Sequence, residues 1–263
     1  GQLVVIKQAH AREDDERLRD EARVGMRLMH PHIVETLDLV DIDGRPALVT
    51  AYVSGASLFD LRRQGAVAPA VVCRIGRQIG EALDALHQAV DEFGRPLNML
   101  HRDVTAANVM LGHDGKARLI DLGIARSRES RAERTDTGSV RGTLRYLAPE
   151  LFGDGDHSVQ SDIWSLGIVL YEALRGREAL KGATAAALHA IISGKVMQLE
   201  QGEIVDGRMQ RAIAQLLRTK PDDRPKRARD AAALFSMLEK QIDVDDVETL
   251  GAAAVRAAVG PPS

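Results

Sequence analysis

The stretch from Leu100 to Gly123, LHRDVTAANVMLGHDGKARLIDLG, constrains this chain more than any other part of it. His101-Arg102-Asp103 stands ahead of Asn108, and two short apolar segments then lead into Asp121-Leu122-Gly123. A carboxylate, an amide and a second carboxylate in this order suit chemistry at a polyphosphate. Such chemistry asks a protein mainly for positioning and charge neutralisation: a carboxylate near an acceptor hydroxyl, and oxygen ligands for a metal. Asp103 suits the first task, and Asn108 and Asp121 suit the second. Each motif alone is a weak signal, because HRD also occurs as a surface turn with a local ion pair and DLG as a turn start. The weight lies in their order and in what flanks them.

The whole chain sets wide bounds. Its 263 residues, 44% of them hydrophobic, carry no internal repeat and can bury a sizeable core in one domain or two closely joined lobes. A formal charge of -3, with both signs interspersed, gives no basic excess for a nucleic-acid partner. The single cysteine, Cys73, excludes an internal disulfide framework and a cysteine-rich zinc site, fits a reducing compartment, and reads as a small buried thiol on a helical apolar face. None of the eight histidines forms a close-spaced helical pair of metal-ligand type. There is no run of about 18 apolar residues, so no membrane contact is expected within this segment. The chain opens on Gly1 without an initiator Met or a signal peptide and enters a strand-like run at once, which predicts a piece of a longer protein.

Local patterns predict alternating elements. Leu3-Val4-Val5-Ile6-Lys7 reads as a short buried strand. Arg12 to Met29 reads as a charged helix with one narrow stripe at Leu18, Ala22, Met26 and Met29. HPHIVETLDLV and IDGRPALVTAYV read as two strands joined by an Asp-Gly turn. From Pro69, the positions Val71, Ile75, Ile79, Leu83 and Leu86 mark a long amphipathic helix, and the charged loop 91–96 after it is a surface excursion. SDIWSLGIVLYEAL (161 to 174) is apolar almost all round and predicts a buried central helix. A last helix runs to about Lys240. The tail from 242 to 263, acidic and then small and Gly/Pro-rich, reads as a linker.

HRDVTAAN followed by DLG resembles the catalytic and metal-binding loops of the eukaryotic-type (Hanks-type) bacterial serine/threonine protein kinases. The resemblance runs over almost the entire chain, and it implies an α+β fold with two lobes: a partial small lobe over 1–53, a helical lobe over 54–241 and a tail over 242–263. It implies ATP with magnesium, or manganese in its place, and a protein substrate. Lys7 would hold the α and β phosphates and pair with Glu21. Thr50 would stand at the gatekeeper position, with Ala51 to Ser54, Val53 among them, forming the hinge that meets adenine. Asp103 would be the catalytic carboxylate, Asn108 and Asp121 the metal ligands, and His101 the structural histidine of the loop. The polar tract before Ala148-Pro149-Glu150 would be an activation segment, with Thr135, Thr137 and Ser139 as phosphate acceptors, Arg102 as their docking cation and Thr143 in the substrate platform. Asp162 would hold the catalytic loop, Trp164 would pack beneath it, and Arg224 would pair with Glu150. Phosphorylation between two copies would make a homodimer a partner state. The resemblance also implies a cytoplasmic site, alone or as the cytosolic part of a membrane-anchored protein.

Four departures qualify the resemblance. No glycine-rich loop precedes Lys7, which the missing Met makes more consistent with truncation than with loss. Thr105 stands where such kinases commonly carry a lysine, and a lost electrostatic contact of that kind costs about two to three decades in rate. Leu122 replaces a more frequent phenylalanine, a conservative apolar change. Gly25 follows Glu21 where a bulky residue is usual, and a helical glycine costs about 1 kcal/mol. The alternative reading is therefore a pseudokinase acting as a binding or scaffold module. A small-molecule phosphotransferase is opposed by the APE segment and its arginine.

Overall fold

The computed structural model describes residues 3–9, 11–122, 144–153, 155–179, 207–241 and 247–261. Strands β1 (Val4–Gln8), β2 (Thr36–Ile42) and β3 (Arg45–Ala51) form an antiparallel sheet in the order β1-β3-β2. Asp43 and Gly44 between β2 and β3 have φ of 53° and 75°. Two successive left-handed residues match the twist of a tight hairpin, and an Asp-Gly pair adopts them at low cost. The expected turn is present.

The first strand corrects the expectation of burial. Among the described residues β1 pairs with β3 alone, at the edge of its sheet, and Val4 and Ile6 remain 42% and 57% exposed. Apolar β-branched composition predicts a strand, but it does not say what covers the strand. Helix α1 (Asp15–Gly25) lays Leu18 and Ala22 on Leu48 of β3. It is shorter than its predicted span: a 3-10 turn over Arg12–Asp14 precedes it, and Met26 and Met29 are exposed beyond its end.

A second antiparallel sheet, β4 (Gly55–Ser57), β5 (Val109–Gly112) and β6 (Ala117–Leu119), lies beneath the first. The two are tied by backbone: Leu119 N donates to the His32 carbonyl at 2.9 Å, and Val34 N donates to the Leu119 carbonyl at 2.9 Å. Helix α2 (Leu58–Gln64) starts at Ser57, whose hydroxyl accepts the Asp60 N–H at 3.1 Å.

Helix α3 (Pro69–His87) has proline in its first turn and buries the predicted stripe, Val71, Ile75, Ile79, Leu83 and Leu86. Helix α4 (Val159–Arg175) opens on a reciprocal Ser158–Ser161 capping box and is buried over most of its surface, as its composition predicts. Helices α5 (Gly207–Leu216) and α6 (Ala228–Glu239) complete one continuous core with α3 and α4. Phe235 of α6 lies so close to Gly76 of α3 that a β-carbon there would sit 2.6 Å from the ring.

The tail contains a helix, α7 (Val247–Val259), with Val247, Ala252 and Val255 buried against the helical lobe. The linker expectation fails there. Small residues leave no large apolar stripe to read yet pack closely, so a docked alanine-rich helix and a flexible tail look alike in composition.

Candidate active site

Lys7 on β1 sits opposite Leu48 in the strand register, facing the α1 side of the sheet, and Glu21 reaches it from α1. The Lys7 Nζ donates to Glu21 Oε1 and Oε2 at 3.1 and 3.2 Å and to Asp121 Oδ1 at 3.1 Å. Burial alone would lower the Lys7 pKa, but the charges of Glu21 and Asp121 outweigh it and raise the pKa. Burial raises the Glu21 pKa, against the pull of Lys7 and with a further push from Asp121. The two shifts act oppositely on the pair. One ammonium between two carboxylates within hydrogen-bond reach favours the charged form of Lys7.

Asp121 follows β6 with φ 53°, and Leu122 beside it is buried. Positive φ on a non-glycine residue is uncommon, though aspartate adopts it more readily than most. Arg102 shares this feature, with φ 63°. The Arg102 backbone is held by a neighbour. Asp162, at the start of α4 and 1% exposed, accepts the His101 N–H at 2.8 Å through Oδ2 and the Arg102 N–H at 2.9 Å through Oδ1. His87 Nε2, at the end of α3, donates to Asp162 Oδ2 at 2.9 Å. Despite its burial, these bonds lower the Asp162 pKa. His101 is fully enclosed, and burial pushes its imidazole down to about 4. The neutral ring accepts the Asp103 N–H through Nδ1 at 3.3 Å.

Asn108 completes the loop. Its Nδ2 donates to the Asp103 carbonyl and to Asp103 Oδ2, both at 2.9 Å, and its backbone N–H donates to the Thr105 carbonyl at 3.1 Å. Its carbonyl accepts from Ile120 N at 2.9 Å, which brings the loop beside Asp121. With Nδ2 committed to Asp103, Oδ1 is the atom that Asn108 has to offer a cation. Together with the Asp121 carboxylate it forms a hard-oxygen set of the kind magnesium takes.

A cleft of about 160 Å³ runs between the two sheets, lined above by Val5, Thr50, Ala51 and Val53, below by Met110, Leu119 and Leu122, and at its polar end by Glu21 and Asp121. The structure thus brings Glu21, Thr50, Ala51, Val53 and Asp121 to one cleft, with Lys7 joined to it through Glu21 and Asp121, and Asp103 and Asn108 through Ile120. The Ala51 N–H is already committed to the Glu35 carbonyl at 2.9 Å. Thr105 is 6% exposed. Thr135, Thr137, Ser139 and Thr143 lie outside the described residues.

Away from the cleft, two ion pairs with fully buried or nearly buried arginines help to hold the lobe. Arg224, side chain fully buried, donates to Glu150 Oε1 and Oε2 at 2.7 and 2.8 Å, and to the carbonyls of Arg218, Gln160 and Thr219. Its guanidinium lies 4.9 Å from the centre of the Trp164 ring. Sequence reasoning missed the second pair. Arg62 of α2 pairs with Glu172 of α4, which also accepts the Tyr146 hydroxyl at 2.8 Å and the Ala179 N–H at 3.0 Å. Burial beside Glu172 holds the Tyr146 phenol well above its usual pKa, so it stays a donor. The signal was available: a lone carboxylate in the otherwise apolar run IVLYEAL needs a buried cation.

A family model described as the protein kinase domain matches residues 1–235. The serine/threonine-protein kinase PknE of Mycobacterium tuberculosis is 38% identical over 178 residues, covering 67% of this chain and 30% of that protein. The tyrosine-protein kinase MasK of Myxococcus xanthus is 31% identical over 245 residues, covering 90% of this chain and 38% of that protein. The serine/threonine-protein kinase PknH of Mycobacterium bovis is 33% identical over 223 residues, covering 82% and 35%. The chain therefore spans about a third of the length of the curated relatives it matches.

Proposed function

This chain belongs to the protein kinase domain family, and on that footing we propose that it transfers the γ-phosphate of ATP to serine or threonine hydroxyls of proteins. The observation that carries the reading is the joined set Lys7–Glu21–Asp121 and Asp103–Asn108 at one cleft. Lys7, fixed by Glu21, braces the phosphates. Asp103 receives two constraints from Asn108 and one from His101, so its carboxylate meets the acceptor hydroxyl already oriented and takes its proton as the oxygen attacks. Asn108 and Asp121 would hold magnesium, which supplies neutralisation of the charge on the phosphate oxygens.

The intact set argues against the pseudokinase alternative. Thr105 brings no positive charge, so the rate is expected to be modest unless an arginine compensates. The relatives named serine/threonine kinases favour Ser/Thr over Tyr acceptors, and Gly142-Thr143 before the APE segment agrees. Transfer between two copies onto Thr135, Thr137 or Ser139, with Arg102 receiving the phosphate, is the regulatory step in this reading. A cytosolic setting follows from the need for ATP; no helix among the described residues is long and apolar enough to cross a membrane.

The test is incubation with γ-labelled ATP and magnesium or manganese, followed by phosphoamino-acid analysis. Label on serine or threonine, absent in Asp103→Asn and Asp121→Ala, supports the reading. Nucleotide binding without label in any residue returns the pseudokinase, and label on tyrosine alone overturns the acceptor class.

A further inference from the structure

Asn108 and Asp121 stand at the base of a single hairpin. Asn108 directly precedes β5, Asp121 follows β6 by two residues, and the Ile120–Asn108 hydrogen bond closes the base. The tip is Gly115, with φ 69°. Helix α7 rests on that tip. A β-carbon on Gly115 would lie 2.4 Å from the Glu248 carbonyl oxygen, and one on Gly251 would lie 3.4 Å from Gly115 Cα and 3.7 Å from Leu111 Cδ2. Two glycines thus let a helix backbone and a hairpin turn meet directly. Glu248 Oε1 also meets Arg74 Nη1 at 3.2 Å, and Arg74 Nε donates to Glu239 at 2.8 Å, which ties the start of α7 to α3 and α6. The family model ends at residue 235, so α7 lies beyond the matched residues.

We propose that α7 is a positioning element for the metal-ligand hairpin, acting through Gly251 and the buried Val255. Strands of four and three residues form a short lever, and a two-stranded hairpin is marginal by itself. This one is held at its base by His32 and Val34, along β5 by β4, along β6 by α3, whose Gln78 Oε1 accepts the Ala117 N–H at 2.8 Å, and at its tip by α7. Freeing the tip lets the base rock, and Asn108 and Asp121 move with it. Removing groups that orient metal ligands without touching the metal costs about 10–100-fold in metal affinity. The hairpin also floors the cleft through Met110 and Leu119, so the loss that belongs to the metal is the part of the change in magnesium midpoint that exceeds the change in metal-free affinity.

The inference rests on the reading of Asn108 and Asp121 as metal ligands, which the Asn108→Ala variant tests separately. The experiment compares the full chain with Gly251→Leu, Gly251→Ala and a chain ending at Gln241. Two quantities are read: the magnesium midpoint for binding a fluorescent ATP analogue, beside its metal-free affinity, and amide hydrogen exchange over residues 109–119 without metal. The expected result for Gly251→Leu and the shortened chain is a magnesium midpoint raised about tenfold, beyond any fall in metal-free affinity, and faster exchange in the hairpin. Gly251→Ala, whose methyl meets Gly115 at a tolerable distance, stays near the parent. If the shortened chain fails to fold, Gly251→Leu decides. An unchanged magnesium midpoint in Gly251→Leu overturns the proposal, even with faster exchange, since α7 is then only a cover. An Asn108→Ala variant with the parent midpoint would instead remove the ligand reading, while hairpin exchange would still report whether α7 braces the turn.

Discussion

The hydroxyl oxygen of Thr36 lies 2.2 Å from the point where Gly25 would carry a β-carbon. Helix α1 therefore ends in direct contact with β2, and that contact sets how close Glu21 comes to Lys7. Helix propensity alone predicts that Gly25→Ala stabilises α1 by about 1 kcal/mol. The contact predicts the opposite: α1 moves outward, the Lys7–Glu21 bonds lengthen and nucleotide affinity falls. Adding Thr36→Ala to Gly25→Ala should restore part of the loss, and a double-mutant cycle on nucleotide binding measures that coupling.

Arg224 uses every N–H of its guanidinium, two of them on Glu150. Arg224→Ala leaves a carboxylate and three carbonyls without their donor and is expected to cost about 3–5 kcal/mol, a melting temperature lower by roughly 10 °C. Arg224→Lys should recover little, because an ammonium cannot span both carboxylate oxygens and the carbonyls together. Thermal denaturation of the three proteins checks this.

His101 is held neutral in the fold, with its pKa at about 4 against the ordinary 6.5. The unfolded chain therefore binds the additional proton first as pH falls. The stability contributed by the neutral ring is complete above pH 6.5, declines as pH drops below it and is gone below about 4, a total of roughly 3 kcal/mol. The lowered Asp162 pKa acts in the same direction, its contribution being lost as that carboxylate protonates in acid. Urea midpoints between pH 7 and 4 should fall in the parent, and a His101→Phe variant should flatten the slope between 6.5 and 4.

The amino-acid sequence marked the polar residues gathered at the cleft more clearly than the way the cleft is braced. Lys7, Glu21, Asp103, Asn108 and Asp121 lie in motifs whose order is visible along the chain, and the stripe of α3 follows from its period. The Gly25–Thr36 contact joins two elements across a turn, and neither residue alone announces the other. Helix α7 was hidden by its own composition: Val247, Gly251 and Val255 keep a four-residue period, but small side chains carry it. The exposure of β1 was equally closed to reading, because strand propensity is blind to neighbours.

The central claim is that Asp103, oriented by Asn108 and His101, acts on the acceptor hydroxyl. Its most direct test is single-turnover phosphate transfer at saturating ATP and magnesium, comparing the parent with Asp103→Asn, with nucleotide affinity measured alongside. The account predicts a rate lower by about 10²–10⁴-fold in Asp103→Asn and an unchanged nucleotide affinity, since the side chain acts on the proton in flight and not on the bound nucleotide. Equal transfer rates in the two proteins would contradict it.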